Sequence, residues 1–255
     1  MNPGEIDAWL KKRGFDPAGN LCEAVVCKRD SSFTTTAMYE ASRAGCLDVC
    51  KHLAAHGAAA TVTKRSSLGT TPFLAACHRG HQHVARWLHE NGAAGDVRVP
   101  DPNGCTPMYV AAFEGDLPLV RWLATTAAAA DVRTPTRDGT TPLLAACQEG
   151  HLAVAQWLHS AGAEEDLKVP NSEEETPMTA ACRGEHLLVM QWLFEVSGSR
   201  EFVIVPSTVH EGSTPRHAAA PATPGAKKNS GKAAPPPRKG ASLRKTPMKG
   251  RGSKL

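Results

Sequence analysis

Thr36, Thr71, Thr106, Thr141 and Thr176 stand 35 residues apart, and the last four are each followed by proline. Ala41, Ala76, Ala111, Ala146 and Ala181 keep the same interval, as do Leu53, Leu88, Leu123, Leu158 and Leu193. Trp87, Trp122, Trp157 and Trp192 keep it too, with His52 in the first unit's equivalent place, so four of the chain's five tryptophans form one column. A fixed period of this length restricts the fold to an array of one supersecondary unit, because such a unit can bury its apolar side only against its neighbours. The 255 residues are then spent on an elongated stack with end caps rather than on one or two globular cores.

The content of a unit reads as two short helices and a connection. A threonine hydroxyl can accept a free backbone N–H at a helix start, and proline in the first helical position loses no hydrogen bond while presetting the backbone angle. Small and apolar residues follow, and Gly80, Gly115 or Gly150 closes the first helix. In the second, Val84, Trp87 and Leu88 take the spacing of one buried helical face, and Gly92 or Gly162 ends it. The spacing therefore predicts a buried tryptophan column, with Trp122→Ala removing about 3–5 kcal/mol as for a core aromatic. The remaining stretch carries valines, prolines and the turn pairs Asn103-Gly104 and Asp138-Gly139, which predict an extended hairpin loop.

These residues resemble the ankyrin repeat, whose opening is Thr-Pro-Leu-His-x-Ala in a period of about 33 residues. The threonine, proline and alanine match in four units over roughly residues 31–206, while Leu74, Tyr109, Leu144 and Thr179 replace the histidine and each period is two residues longer. The expected fold is all-α: an ankyrin-repeat solenoid of helix-turn-helix units with hairpin loops, five of them over 31–206. Residues 1–30, with Trp9, Leu10, Leu21, Val25 and Val26 near helical spacing, are expected to form a helical cap. A truncated repeat start at 213–219 soon meets Pro221 and Pro224, which stop a helix.

Charge divides the chain unevenly. From Pro206 to Leu255 there are eleven lysines and arginines against one acid, Glu211, leaving a net −6 on positions 1–205 beneath the overall +4. The tail, 207–255, is rich in Pro, Gly, Ala and Lys and is expected to be a disordered basic arm. It ends in Ser253-Lys254-Leu255, the tripeptide read by the peroxisomal import receptor, so a peroxisomal location is expected. The alternative is a nuclear or cytoplasmic adaptor whose basic tail touches nucleic acid weakly and without sequence preference, since no aromatic residue lies beyond Phe202 to stack on bases. No apolar run approaches the roughly 20 residues that span a bilayer, and no secretory leader is evident, so no membrane partner is expected and the eight cysteines are read as thiols.

The recurring His81, His151 and His186, and Cys77, Cys147 and Cys182, suggest packing rather than chemistry, because equivalent residues in neighbouring helices lie about 10 Å apart and cannot converge on one metal. Cys46 with Cys50, or Cys22 with Cys27, would supply only half of a zinc site. No catalytic residue, metal or cofactor is assigned. Asp96, Asp131, Asp166 and Glu201 form an acidic column two residues before a basic one, Arg98, Arg133 and Lys168, and the alternating signs suit pairing between units or solvated loop residues rather than a nucleic-acid stripe. The function expected is a protein-binding scaffold, acting as a monomer, that holds another protein in a concave groove. The resemblance implies that Arg43, His78, Arg79, Phe113, Glu114, Gln148, Glu149 and Arg183 face that groove, beside the variable loop tips Asp101–Asn103, Thr136–Asp138 and Asn171–Glu174.

Overall fold

Each threonine begins a helix as its chemistry requires. The hydroxyl Oγ1 of Thr36, Thr71, Thr106 and Thr141 accepts the backbone N–H three residues on, at 3.1–3.2 Å, and Pro72, Pro107, Pro142 and Pro177 fill the first helical position. The computed structural model describes residues 1–19, 21, 25, 26 and 34–198. Helix α1 (Pro3–Arg13) precedes an antiparallel pair, β1 (Val25–Val26) and β2 (Thr34–Thr35), in the register Val25 to Thr35 and Val26 to Thr34. Five helical hairpins follow: α2 (Ala37–Arg43) with α3 (Leu47–Ala55), α4 (Pro72–Cys77) with α5 (Gln82–Leu88), α6 (Pro107–Phe113) with α7 (Leu117–Ala124), α8 (Pro142–Gln148) with α9 (Leu152–Ser160), and α10 (Pro177–Arg183) with α11 (Leu187–Ser197).

The alanine column is fully buried from Ala41 to Ala181. Side chains this small let each first helix lie close to the next, and neighbouring first helices do pack more closely than neighbouring second helices. Leu53, Leu88, Leu123 and Leu158 are likewise fully buried on the second helices.

Three sequence expectations are corrected. In the first 30 residues the helix stops at Gly14, which turns left-handed at φ +92°, and the β-branched Val25 and Val26 pair in extended form instead of continuing a helical face. Ile6, Leu10, Phe15 and Leu21 nevertheless bury into the common core. The tryptophans are not core residues throughout: Trp87, Trp122 and Trp157 are half-buried against the core, and only Trp192 is buried. The connection after the second helix is not extended at its start either. A 3-10 turn forms at Ala94–Arg98, Ala127–Arg133 and Glu164–Lys168, because Val97, Val132 and Leu167 must bury there, and the chain extends only from Val99, Thr134 and Val169. It then closes a true hairpin, in which Asp101, Thr136 and Asn171 donate their N–H to the carbonyls of Cys105, Thr140 and Glu175. The tail, its repeat start at 213–219, Cys22, Cys27, Glu201 and Ser253-Lys254-Leu255 lie outside the described residues.

Neighbouring hairpins are tied by recurring bonds. At the tips, Ser67 donates to the Thr34 carbonyl at 3.0 Å, Arg137 to Asn103 at 2.9 Å and Ser172 to Asp138 at 2.7 Å. The equivalent position at the remaining junction is Pro102, which has no N–H to give. Behind the first helices, His151 Nε2 meets the Phe113 carbonyl at 3.0 Å and His186 Nε2 the Gln148 carbonyl at 2.9 Å; at the first junction His81 packs in the equivalent place while His83 Nε2 meets the Gly45 carbonyl at 3.2 Å. The rings of His81, His151 and His186 sit over Gly45, Gly115 and Gly150, where an added Cβ would collide with the imidazole. At the same junction as Pro102 the histidine is replaced by Asp116, and Gly80 opposite it faces open space. The second and third hairpins therefore lack two ties that every other described junction keeps. Gln82 Nε2 donates to Asp116 Oδ1 at 2.6 Å in their place.

Candidate functional site

The ends of the first helices and the hairpin tips make one continuous face, and its residues are set by the helix register just described. Arg43, at the end of α2, lies 3.5 Å from Glu40, whose carboxylate is buried. Arg183, at the end of α10, is held 2.8 Å from the buried Glu175. Both arginines thus offset the charge of carboxylates of their own units, with Glu40 Oε1 left without a hydrogen-bond partner. Between them the face is freer: Arg79, Glu114 and Glu149 are exposed, and His78, Phe113 and Gln148 are half-exposed.

Phe113 stacks on Tyr109, with ring centroids 6.3 Å apart and planes 20° from parallel. Burial raises the Tyr109 hydroxyl pKa, so the phenol stays protonated as a donor. Burial also lowers the pKa of His78, so its imidazole is neutral near pH 7. Glu114 is raised by burial, opposed by the positive charge of Arg79 and by His151. Gln148 Nε2 donates to Glu149 Oε1 at 3.3 Å. The face therefore runs from cationic at Arg79, through the aromatic pair with Glu114 beside it, to anionic at Glu149.

Nothing in this arrangement gathers a nucleophile and a base. His151 and His186 hold carbonyls of the preceding unit and His81 packs in the equivalent place, as above. Cys50, Cys77 and Cys147 are buried free thiols; burial pushes Cys50 and Cys147 up to about 12 and Cys77 in the same direction, which keeps them protonated and unreactive. Cys182, at the same position in the last described hairpin, is exposed because no described residue stacks beyond α10. Cys50 lies 3.9 Å from Ser42 Oγ, and Cys46 is half-exposed and near the Ala44 carbonyl. Among the described residues no group of three His, Cys, Asp or Glu side chains is arranged to hold a metal ion, and no helix is long and apolar enough to cross a membrane.

The charge columns pair across units. Arg98 reaches Asp131 at 3.1 Å, and Arg133 reaches Asp166 at 2.9 Å and Glu165 at 2.8 Å. Sequence reading missed a feature on the opposite side, where Arg86, Leu117, Pro118, Arg121, Trp122 and Thr125 line a groove of about 410 Å³ between α5 and α7. The signal was present in the basic run Lys51, Arg86, Arg121 one residue before the tryptophan column.

A stack of helical hairpins with 35-residue units, variable side chains on the first-helix face and hairpin tips linked by backbone bonds defines a repeat-solenoid binding scaffold. The family comparison matches ankyrin repeats, in three overlapping copies at residues 37–134, 93–169 and 128–201, and the chain belongs to the ankyrin-repeat family. Repeats of this family are generally modules for protein–protein interaction. No curated protein matches the chain.

Proposed function

We propose that this chain is a non-enzymatic adaptor that binds a partner protein on the face running from Arg79 through Phe113 to Glu149, and that Ser253-Lys254-Leu255 directs it to peroxisomes. The observation that carries the binding reading is the Tyr109–Phe113 ring pair, with Glu114 beside it, flanked by Arg79 on one side and by Glu149 on the other. Aromatic anchors bordered by charge are the residues on which interface energy concentrates. The scaffold holds them rigidly, so little ordering cost is added on binding. Arg43 and Arg183 contribute less, since each already neutralises a carboxylate of its own unit.

The test compares proteins co-purified with the full chain and with an Arg79→Glu, Phe113→Ala, Glu149→Arg variant, all tagged at the N-terminus. Loss of specific partners from the variant supports the face; an unchanged set of partners rejects it. The same tagged chain, with and without Ser253 to Leu255, tests location by microscopy. Punctate signal that depends on the tripeptide supports peroxisomal delivery, whereas nuclear signal lost on reversing the tail's lysines and arginines supports the nuclear alternative.

A further inference from the structure

We infer that the groove between α5 and α7, on the side away from the first helices, is a second binding site, which takes an acidic peptide carrying an apolar or aromatic side chain beside its carboxylates. The groove of about 410 Å³ has Trp122, Leu117 and Pro118 as its apolar lining and Arg86 and Arg121 as its cations. The Arg86 guanidinium lies over the Trp122 ring at 5.5 Å, and His89 meets the same ring edge-on at 5.4 Å. Those contacts hold the indole at the groove wall with a cation already beside it.

Charge complementarity identifies the occupant. Arg43, Arg98, Arg133 and Arg183 all lie within 3.5 Å of a carboxylate. Arg86 and Arg121 are exposed, and neither lies within 4.0 Å of a carboxylate of any described residue. The equivalent groove one unit earlier sets Lys51 and Arg86 against Glu90, and puts polar Gln82 and His83 where Leu117 and Pro118 stand here. The next groove keeps one cation, Arg121, with Gln156 in the second position, and the last has Gln156 and Gln191 in both. Two arginines without a carboxylate, an apolar floor and a neutral residue, Thr125, in place of glutamate coincide only between the second and third hairpins.

Paired carboxylates suit two guanidinium forks, and the apolar lining requires a side chain to cover it. A long polyanion is a poor fit, because positions 1–205 carry a net −6 that repels an extended nucleic acid or an anionic bilayer beyond the groove. A short acidic segment meets the local positive charge alone. This is also the junction where proline blocks the tip bond and the histidine tie is missing, and where α5 and α7 are joined at their starts by the Gln82–Asp116 bond instead. This site is independent of the first-helix face proposed above.

The experiment is a titration of the full chain with an acetylated Asp-Phe-Glu-Leu peptide, read by tryptophan fluorescence. A chain whose tail lysines and arginines are changed to glutamine is the control for peptide adhering to the tail, and is expected to give the same change. A saturable change is expected, weakened at least tenfold by Arg86→Glu with Arg121→Glu, removed by Trp122→Phe, absent with Asn-Phe-Gln-Leu, and unaffected by Phe113→Ala on the other face. Circular dichroism verifies that each variant is folded, and Arg86→Gln with Arg121→Gln serves as the milder pair. No saturable change with the wild-type chain, or one indifferent to both arginine pairs, overturns the inference. So does a change produced equally by a single-stranded oligonucleotide or by phosphatidylserine vesicles.

Discussion

Thr63→Arg tests whether the acidic column is stabilised by pairing across units. Arg98 reaches forward 33 residues to Asp131, and Arg133 reaches the same distance to Asp166. The same reach back from Asp96 ends at Thr63, which has no charge to offer. Asp96 is buried, its Oδ2 has no hydrogen-bond partner, and burial pushes its carboxyl from the ordinary 3.8 up to about 6, with Arg65 pulling weakly the other way. A carboxyl whose folded pKa is raised binds its proton more tightly in the folded state. Below about pH 3.8 it is protonated in both states and carries no penalty; the penalty grows as pH rises toward 6 and is complete above it. A shift of this size corresponds to about 3 kcal/mol at most, and water at the protein surface reduces the usable part to about 1–2 kcal/mol. A guanidinium introduced at position 63 would favour the charged carboxylate, so Thr63→Arg is expected to raise stability at pH 7 by about 1 kcal/mol, or about 2–4 °C in Tm for an array of this size. It should also flatten the loss of stability between pH 4.5 and 6.5. Urea unfolding across that range is the assay, since guanidinium salt would screen the pair. Asp96→Asn is the control: it should stabilise the wild-type chain at pH 7 and erase the benefit of Thr63→Arg. If Thr63→Arg leaves the midpoint and its pH slope unchanged, or Asp96→Asn stabilises nothing, the reasoning fails.

Trp122→Ala is expected to cost about 1–2 kcal/mol in urea unfolding, less than a core aromatic, because the ring is half-buried in the groove wall. Gly115→Ala should cost at least ~1 kcal/mol more than Gly80→Ala: both glycines are left-handed, but an alanine Cβ at 115 would lie 2.5 Å from His151 Nδ1 while the one at 80 meets nothing within 4 Å. Pro102→Ser restores an N–H beside Leu68, the counterpart of Asn103, and should slow hydrogen exchange of the amides in the 66–70 and 101–105 hairpins, which in the unaltered chain should exchange faster than those of 136–140. Maleimide labelling of the native chain should modify Cys182 readily and Cys77 and Cys147 only after unfolding, since the last two are buried thiols with raised pKa.

The repeated part of this fold was legible because each Thr-Pro start, alanine column and closing glycine is a local instruction written several times over. What was not legible lies in offsets other than the period. Aligning units at 35 residues sets Arg98 beside Arg133, His151 beside His186 and Asn103 beside Asp138, like against like. The bonds that join the units run instead over 33 residues from arginine to aspartate, 34 from the tip amides of Arg137 and Ser172 to the tip carbonyls before them, and 38 from histidine to carbonyl. Until those offsets are known, Thr63, Pro102 and Asp116 read as tolerated variation in a loop or a helix start. Once they are known, each is a missing partner. Thr63 leaves Asp96 buried without the arginine partner that Asp131 and Asp166 have, its Oδ2 unbonded. Pro102 and Asp116 remove two ties from one junction, and there the second helices frame the groove holding Arg86, Arg121 and Trp122. The tryptophans illustrate the same limit from the other side. Their spacing beside Val84 and Leu88 is that of a buried face, yet it cannot say how near the next second helix comes, and that distance leaves Trp122 as a wall of the groove rather than part of the core. In a repeat array the period therefore specifies the scaffold, whereas function is to be sought where one unit departs from it, judged by the neighbour that the departure faces.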